Sequence, residues 1–274
     1  KQLKLRLENS SENCLLTIGP RWMERNRQQP LLQDIKVFDP RRVQVLPPVG
    51  LFERQQERLP PLLLAEGWMA YDEMPWATPF SLQTQLKRAA DLLIAASLLL
   101  ITSPLLLLAS VLIWFDDPGP VFYRQKRTGW MGDPFTVLKL RTMRVQPADA
   151  VATWTQISDK RITRFGKVLR RLRMDELPQL INVLSGDMSL IGPRPERPEM
   201  EVELERNIPH YRMRHWMRPG LSGWAQVCAP YASSIEDSDL KLSYDLFYLK
   251  RFSIWLDLVI LLRTIKTVLK ASGR

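Results

Sequence analysis

A stretch of 24 residues without a charged side chain constrains this chain more than any other feature. It runs from residue 92 to residue 115 and reads LLIAASLLLITSPLLLLASVLIWF. A straight helix of that length would extend about 36 Å, enough to cross a hydrocarbon core of about 30 Å. The segment therefore predicts a helix in contact with a membrane.

The pair Ser103-Pro104 lies in the middle of this segment. A proline inside a helix removes a backbone hydrogen bond and tends to kink the helix, and a serine hydroxyl can bind the freed groups. Each half would then reach only about 18 Å, so the two halves could enter and leave through one leaflet as a re-entrant hairpin. A kinked single span is the alternative, because transmembrane helices tolerate proline.

Basic residues flank the segment on both sides, with Lys87 and Arg88 before it and Arg124, Lys126 and Arg127 after it. Positive charge marks the cytoplasmic ends of membrane segments, so both ends are predicted to be cytoplasmic.

The whole chain is basic as well, with 39 Lys+Arg against 29 Asp+Glu and a net charge of +10. That balance favours anionic partners, such as nucleic acid, acidic lipid headgroups or phosphorylated metabolites.

The cysteines and the chain start carry little information about function. Cys14 and Cys228 lie far apart without CxxC spacing, so neither a disulfide framework nor a zinc site is predicted. The chain opens on Lys1 without a signal-peptide pattern, and we expect a trimmed start.

The chain divides into two parts by composition. Residues 1–80 have scattered prolines and short apolar runs, a composition that predicts a small accessory region, which can be incomplete. Residues 81–274 are predicted to form one domain with its membrane helix at about 88–115. The rest of this domain, about 116–274, predicts a β-hairpin (121–125 with 135–140), a polar loop (145–160), helices around 165–172 and from 178, loops at 192–198 and 218–224, and a C-terminal helix. The fold class predicted is α+β, mainly helical.

The C-terminal helix has apolar residues throughout, with Arg263, Lys266 and Lys270 at helical intervals. This pattern is typical of an amphipathic helix at a membrane interface, and a terminal helix packed on the protein is the alternative.

Two adjacent carboxylates, Asp175 and Glu176, follow a run of seven basic residues. The run consists of Lys160, Arg161, Arg164, Lys167, Arg170, Arg171 and Arg173. From this stretch alone a helix start is the simpler interpretation, with Asp175 as N-cap and Pro178 in the first turn. The same surroundings suit a nucleophile, because arginines and a helix N-terminus favour an ionised aspartate that can attack a phosphoryl group. Neighbouring helical residues point about 100° apart, so we expect the two carboxylates to have separate roles.

Several common site types have no motif here. The chain has no GxxxxGK[ST], GxGxxG or GxSxG motif, so phosphates would be held by side chains rather than by a glycine-rich loop. His210 and His215 do not match a metal-binding helix spacing and are predicted to be structural or interfacial. The basic run could bind nucleic acid, but no nucleic-acid motif accompanies it and the apolar segment favours a membrane setting.

Five stretches in a fixed order carry a resemblance to a known family. They are KRAADLLIAASLLLITSPLLLLASVLI, GPVFYRQKRTG, FTVLKLRTM, RITRFGKVLRRLRMDELPQLINVLSGDMSLIGPRPE and RPGLSGWAQV. Over about residues 85–270 the chain closely resembles the bacterial sugar transferase family, the monotopic polyprenyl-phosphate phosphoglycosyl transferases.

The resemblance implies a reaction and its site. A sugar 1-phosphate would pass from a UDP-sugar to a polyprenyl phosphate such as undecaprenyl phosphate, with release of UMP and a requirement for Mg²⁺. Asp175 would be the nucleophile that carries a covalent phosphosugar, and Glu176 would act as a base or, with Asp175, in the metal site. Lys139, Arg170 and Arg194 occupy positions linked to phosphate binding.

The resemblance also implies a location. Ser103 and Pro104 match the family's helix-breaking pair, which favours the re-entrant hairpin. The catalytic domain would then lie on the cytoplasmic face of the bacterial inner membrane, in contact with lipid, and start polysaccharide or glycoconjugate synthesis. A homo-oligomer is compatible with this expectation, and no nucleic-acid partner is expected.

One departure from the family's pattern leaves an alternative open. After GWAQV the family usually continues Asn-Gly-Arg with an active-site arginine, whereas this chain has Cys228, Ala229 and Pro230. Another basic residue could substitute, or the donor preference could differ. A catalytically inactive relative that acts as a membrane scaffold in polysaccharide assembly is the alternative, against which the intact Asp175-Glu176 pair argues.

Overall fold

The computed structural model describes residues 14–17, 43–71, 74, 76–77, 81–144, 161–230 and 234–269. The polar loop predicted at 145–160, with Lys160, lies outside these residues. The helices are α1 (Pro48–Gln56), α2 (Leu82–Asp116), α3 (Arg164–Arg171), α4 (Gln179–Ser185), α5 (Pro198–Asn207), α6 (Trp224–Cys228), α7 (Ile235–Arg251) and α8 (Ile254–Leu269). Short 3₁₀ helices lie at Pro61–Leu63, Trp130–Gly132, Met174–Glu176 and Tyr211–Trp216.

Three two-stranded sheets complete the described fold, so the prediction of a mainly helical α+β class is confirmed. The strands are β1 (Cys14–Thr17), β2 (Val43–Leu46), β3 (Phe122–Thr128), β4 (Pro134–Leu140), β5 (Ser189–Ile191) and β6 (Gly220–Ser222). Strands β1 and β2 pair in parallel, as do β5 and β6, while β3 and β4 form the predicted antiparallel hairpin.

Helix α2 contains the apolar segment and continues through Pro104. By length and composition it could cross a membrane, and only 11% of its most apolar stretch is buried inside the protein. Pro104 has no N–H for the carbonyl of Leu100, and the Ser103 hydroxyl donates to that carbonyl at 2.8 Å instead. The serine thus satisfies the group that the proline leaves free, as the sequence predicted.

Both ends of α2 contact the folded domain. Near its start, Arg88 donates to the carbonyls of Val183 and Leu184 at the end of α4, at 2.7 and 3.1 Å. Near its end, Ala109 and Ile113 are buried in a small core cluster that also includes residues of β4 and α3. Between them the helix exposes large apolar side chains, so its middle is the part available to lipid.

A cluster of polar side chains, here called the anchor cluster, fixes the start of α2. Its members are Lys87, Asp91, Ser189, Tyr248 and Asp257. Lys87 Nζ lies 2.8 Å from Asp257 Oδ2 and also donates to a backbone carbonyl of β5. Asp91 accepts hydrogen bonds from the Ser189 hydroxyl at 2.7 Å and from the amide of the next residue. These contacts join α2 to β5 and α8.

The parallel pairing of β5 and β6 was not predicted, because the loop interpretation of residues 218–224 covered β6. The backbones approach so closely that a Cβ on Gly220 would collide with the backbone of Gly192. Gly192 N donates to the carbonyl of Ser222 at 2.8 Å. The pairing sets the position of the loop after β5, which carries Arg194.

The described residues between 48 and 77 pack on the C-terminal helices. Trp76 Nε1 donates to the carbonyl of Leu249 at 2.8 Å, and the amide of Leu59 donates to the carbonyl of Ser243 at 2.7 Å. Leu59 and Trp76 are buried in the same core as α7. The division of the chain at residue 80 stays a prediction.

Candidate active site

Asp175 and Glu176 lie on the single 3₁₀ turn Met174–Glu176 between α3 and α4. Arg173, just before the turn, takes a left-handed conformation with φ of 55°, which redirects the chain after α3. Pro178 occupies the N-cap position of α4, and no side chain caps that helix. The interpretation of Asp175 as an N-cap is therefore wrong, because the 3₁₀ turn places it three residues too early.

Glu176 is held by two cations that come from distant parts of the chain. Lys139 Nζ, from β4, donates to Glu176 Oε1 at 2.9 Å. Arg194 Nη2, from the loop after β5, donates to the same oxygen at 2.6 Å. The structure thus brings together three of the predicted site residues.

The pKa values of the two neighbouring carboxylates are shifted in opposite directions. For Asp175, burial and the charge of Glu176 raise the pKa, and Lys139 and Arg170 only partly oppose them. For Glu176, burial acts to raise the pKa, but Arg194 and Lys139 outweigh it and hold the pKa well below the ordinary glutamate range. Lys139 and Arg170 favour the ionised form of Asp175, as expected, but burial and the charge of Glu176 outweigh them, so the net shift of its pKa is upward.

Arg170 plays a smaller part than Lys139 and Arg194. It lowers the pKa of Asp175 through its charge, yet across residues 161–230 and the other described ranges its side chain forms no hydrogen bond or ion pair. Its predicted role in phosphate binding stays a prediction.

A small open recess lies beside Glu176 and is here called the basic recess. It is lined by Arg127, Val137, Lys139, Arg194 and Pro195. The hairpin register explains the lining from β3 and β4, since it pairs Arg127 with Phe135, Gln125 with Val137 and Tyr123 with Lys139. Paired residues of an antiparallel ladder point to the same face. Sequence reasoning missed Arg127, although alternation along the predicted hairpin could have placed it on the face of Lys139.

A buried arginine supports the loop that carries Arg194. Arg214 Nη2 donates to the carbonyl of Arg194 at 2.9 Å and to Asp245 Oδ2 at 3.0 Å, and its Nη1 donates to the Tyr211 hydroxyl at 2.7 Å. No sequence pattern indicates this network, because Arg214, Tyr211 and Asp245 belong to no recognised motif.

The two histidines have structural surroundings, as predicted. His215 is buried with Nε2 3.4 Å from Glu201 Oε1, and burial lowers its pKa to about 3, so its ring is neutral. His210 Nε2 lies 3.4 Å from the carbonyl of Leu64.

The corner at Cys228 contains an arginine from another helix. Arg263 of α8 donates to Cys228 Sγ at 3.3 Å, and its guanidinium lies over the Trp224 ring, 4.5 Å from the centroid. Burial raises the pKa of the Cys228 thiol to about 11, so it is not a ready nucleophile. A basic group is thus present beside the place where the family's arginine was expected.

The metal-ligand content of the site is low. In the described parts of the chain no group of three or more His, Cys, Asp and Glu side chains could hold a metal ion. Asp175 and Glu176 supply two adjacent carboxylates, and Mg²⁺ in phosphate-handling sites commonly takes one or two carboxylates together with substrate oxygens. The donor set therefore fits Mg²⁺ held jointly with a diphosphate.

Comparison with known proteins gives several similar sequences. The chain is 45% identical over 195 residues to the UDP-N-acetylgalactosamine-undecaprenyl-phosphate N-acetylgalactosaminephosphotransferase of Aeromonas hydrophila, covering 71% of this chain and 46% of that protein. It is 36% identical over 191 residues to the UDP-glucose:undecaprenyl-phosphate glucose-1-phosphate transferase of Escherichia coli (strain K12), covering 69% and 41%. The protein of that same name from Caulobacter vibrioides is 43% identical over 185 residues, covering 67% and 69%.

The chain thus spans less than half the length of the first two relatives. A family model described as bacterial sugar transferase matches residues 82–271, which include the membrane helix, the hairpin and the Asp175-Glu176 turn. The chain belongs to the bacterial sugar transferase family.

Proposed function

We propose that this protein transfers a sugar 1-phosphate from a UDP-sugar to a polyprenyl phosphate such as undecaprenyl phosphate and releases UMP. The observation that carries the proposal is the division of charge at the Asp175-Glu176 turn. Two cations bind Glu176, and the neighbouring Asp175 accepts no hydrogen bond from another described side chain. The names of the relatives describe the same reaction class with undecaprenyl phosphate.

Asp175 has the chemistry for covalent transfer. Its ionised carboxylate oxygen would attack the sugar-linked phosphorus, and the bond from that phosphorus to the bridging oxygen would break, so that UMP leaves. An oxygen of the polyprenyl phosphate would then attack the same phosphorus and break its bond to Asp175. The products are a polyprenyl diphosphate sugar and the free carboxylate.

Lys139 and Arg194 support this reaction electrostatically. A carboxylate and a diphosphate repel each other, and positively charged side chains at the site reduce that repulsion. Because both cations are already held by Glu176, they are pre-positioned before the substrate binds. Mg²⁺, which Asp175 and Glu176 would hold, supplies further charge neutralisation when bound.

The contacts of α2 support a re-entrant arrangement. Val137 belongs to the same core as Ala95, and Leu140 to the second core with Ala109. The first half of α2 thus packs on the main core, and its second half packs on a second core of the same domain. A bend at Ser103-Pro104 would bring both halves of α2 back to one domain, on the cytoplasmic face of the inner membrane.

The C-terminal helix α8 fits the same membrane setting. It exposes Ile254, Trp255, Leu258, Leu262 and Ile265, which recur at helical spacing. Buried side chains such as Ile260 pack on the protein. The helix therefore combines a packed face with an exposed apolar face suited to the membrane interface.

The test is a UMP-release assay with the purified full chain, undecaprenyl phosphate, Mg²⁺ and a panel of UDP-sugars. UMP is expected with one or more donors, and its release should stop when EDTA removes Mg²⁺. Absence of UMP with every donor, in protein that remains folded, would contradict the proposal and favour the scaffold alternative.

Tags at the two ends of the membrane region test the topology. A protease added to one side of sealed vesicles should remove a tag before Lys87 and a tag after the final residue, Arg274, from the same cytoplasmic side. Removal from opposite sides would establish a span.

A further inference from the structure

We propose that Arg127 binds the phosphate of the departing nucleotide, at the end of the basic recess away from Asp175. The inference rests on the function proposed above, since it assigns a residue to one product of that reaction.

The position of Arg127 follows from the hairpin. The register pairs Arg127 with Phe135, and Lys139 lies four residues further along β4, about 13 Å away along the strand. Lys139 contacts Glu176, next to Asp175, whereas Arg127 contacts the loop after Arg194 through the carbonyl of Pro195 at 3.3 Å. The two cations therefore line the recess from different sides, Lys139 from the side of Glu176 and Arg127 from the side of the loop after β5.

The charge of Arg127 is only loosely compensated within the protein. Its ion pair with Glu196 is long, at 3.8 Å, compared with 2.9 and 2.6 Å for the two pairs of Glu176. Burial lowers the pKa of Arg127, and Arg194 acts in the same direction. A partly buried cation with a distant counter-charge is stabilised by an added anion.

The guanidinium also has donors to spare. Two of its groups donate to protein acceptors, the carbonyl of Pro195 at 3.3 Å and Gln125 Oε1 at 2.8 Å. A guanidinium carries five N–H groups in a planar fork that matches phosphate oxygens, so about three remain for a ligand.

The position of Arg127 relative to Asp175 determines which phosphate it contacts. The sugar-linked phosphorus has to lie within reach of Asp175, beside Lys139. The other phosphate of the diphosphate then points along the recess toward Arg127. Negative charge grows on that phosphate as the bridging bond breaks, and a fixed cation there stabilises both the bound donor and the leaving group.

UMP binding tests the inference directly. UMP is titrated calorimetrically into the purified full chain in nanodiscs, without acceptor lipid. Arg127→Gln should weaken UMP binding by about ten- to a hundredfold, and Arg127→Lys, which keeps the charge but not the fork, should fall between. Lys126→Gln is the matched control, because Lys126 is an exposed neighbour in β3 on the opposite face, and it should bind UMP like the wild type.

Steady-state kinetics distinguish the nucleotide phosphate from the lipid phosphate. In Arg127→Gln the KM for the UDP-sugar and the inhibition constant of UMP should both rise, while the KM for undecaprenyl phosphate stays within about twofold of the wild-type value. A larger rise in the KM for the lipid would overturn the assignment. So would UMP affinity that is unchanged in a variant whose thermal midpoint matches the wild type.

This inference and the proposed function can fail separately. If the wild type releases no UMP from any donor, the proposed function fails, and calorimetry with UMP still decides the role of Arg127. If the wild type turns over but Arg127→Gln and Arg127→Lys keep its UMP affinity and its KM for the donor, only the role of Arg127 is wrong.

Discussion

In the described part of the chain, two largely buried lysine–carboxylate pairs have nearly equal lengths, one in the anchor cluster and one at the candidate active site. Lys87 Nζ lies 2.8 Å from Asp257, and Lys139 Nζ lies 2.9 Å from Glu176. In the anchor cluster, the second oxygen of Asp257 accepts from the Tyr248 hydroxyl at 2.6 Å. The second carboxylate of the cluster, Asp91, also has a hydrogen-bond partner on each oxygen.

At the candidate active site, the hydrogen bonds are unevenly distributed between the two carboxylates. A single oxygen of Glu176 serves two cations, while the adjacent Asp175 has a raised pKa and no such partner. A buried cluster whose carboxylate oxygens all have hydrogen-bond partners contributes to structure, whereas a site that leaves one carboxylate without such a partner beside two cations is suited to bind and react with an anion. The difference predicts which substitutions reduce turnover and which reduce stability.

Replacing the nucleophile should have the largest effect. Asp175→Asn keeps the side-chain shape but cannot form the acyl-phosphate, so turnover should fall by at least about a thousandfold. The covalent phosphosugar adduct, detected by intact-protein mass spectrometry after donor is added without acceptor, should disappear. Asp187→Asn, at a carboxylate outside the site, is the control and should keep the adduct. Wild-type turnover in Asp175→Asn would refute the nucleophile assignment.

Neutralising the neighbour should reduce both turnover and stability. Glu176→Gln leaves Lys139 and Arg194 without their shared counter-charge, which should cost about 1–3 kcal/mol of folding free energy. Turnover should drop by about ten- to a hundredfold because the two cations lose their fixed positions. Chemical denaturation and UMP release measure the two effects. A stable but fully active variant would show that Glu176 does not position these cations.

Breaking the anchor cluster should reduce stability without a comparable loss of chemistry. Lys87→Met leaves Asp257 charged and largely buried, so the free energy of unfolding should fall by about 2–3 kcal/mol. Turnover per folded molecule should remain within about threefold of wild type. Lys266→Met, at an exposed lysine of α8, provides the matched control and should change neither quantity. If Lys87→Met instead abolishes turnover at unchanged stability, the lysine belongs to the reaction.

The smallest effects concern pH. Asp175 has to be ionised to attack, and its pKa is raised, so the acid limb of the turnover profile should lie above the range of an ordinary aspartate. A raised pKa in the folded state favours folding below the ordinary aspartate pKa, and this contribution is lost as pH rises through the folded-state value. Asp175→Asn should therefore be slightly more stable than wild type at neutral pH, and the gain should vanish in acid. Denaturation curves at several pH values measure this.

Local elements of the fold could be predicted because their patterns are contained in short windows. The hairpin has alternating β-prone residues around a turn, and the observed strands β3 and β4 agree with it, with β3 three residues longer at its end. The helix after Pro178 was also placed correctly. These elements are determined by neighbours in the sequence.

Elements that depend on distant partners were missed. Strand β6 has only three residues and pairs with β5, about thirty residues earlier. Helix α7 buries the polar residues Ser243 and Asp245 beside Leu242 and Leu246, so its apolar spacing is interrupted. Asp245 is buried because Arg214 binds it, and no local pattern reveals that partner.

The candidate site shows the same limit. Asp175, Glu176, Lys139 and Arg194 could be named from motifs, but their charge states could not. The pKa of Asp175 depends on how much the folded chain covers it and on which carboxylate the cations bind. Both are properties of the assembled site. The contact of Arg127 with the loop after β5 is such a property too, although alternation along the hairpin could have placed Arg127 on the face of Lys139.

The hydrogen bonds from Arg88 to the end of α4 have a consequence for substrate access. Helix α4 has seven residues, about 10 Å in length, and it begins three residues after Glu176. Through this short helix the start of the membrane helix is tied to the turn that carries Asp175. In the membrane arrangement proposed above, the depth of α2 in the bilayer would therefore set the height of Asp175 relative to the lipid headgroups. The phosphate of a membrane lipid stays in the headgroup plane. The protein would therefore hold Asp175 at the height of that phosphate before the lipid binds.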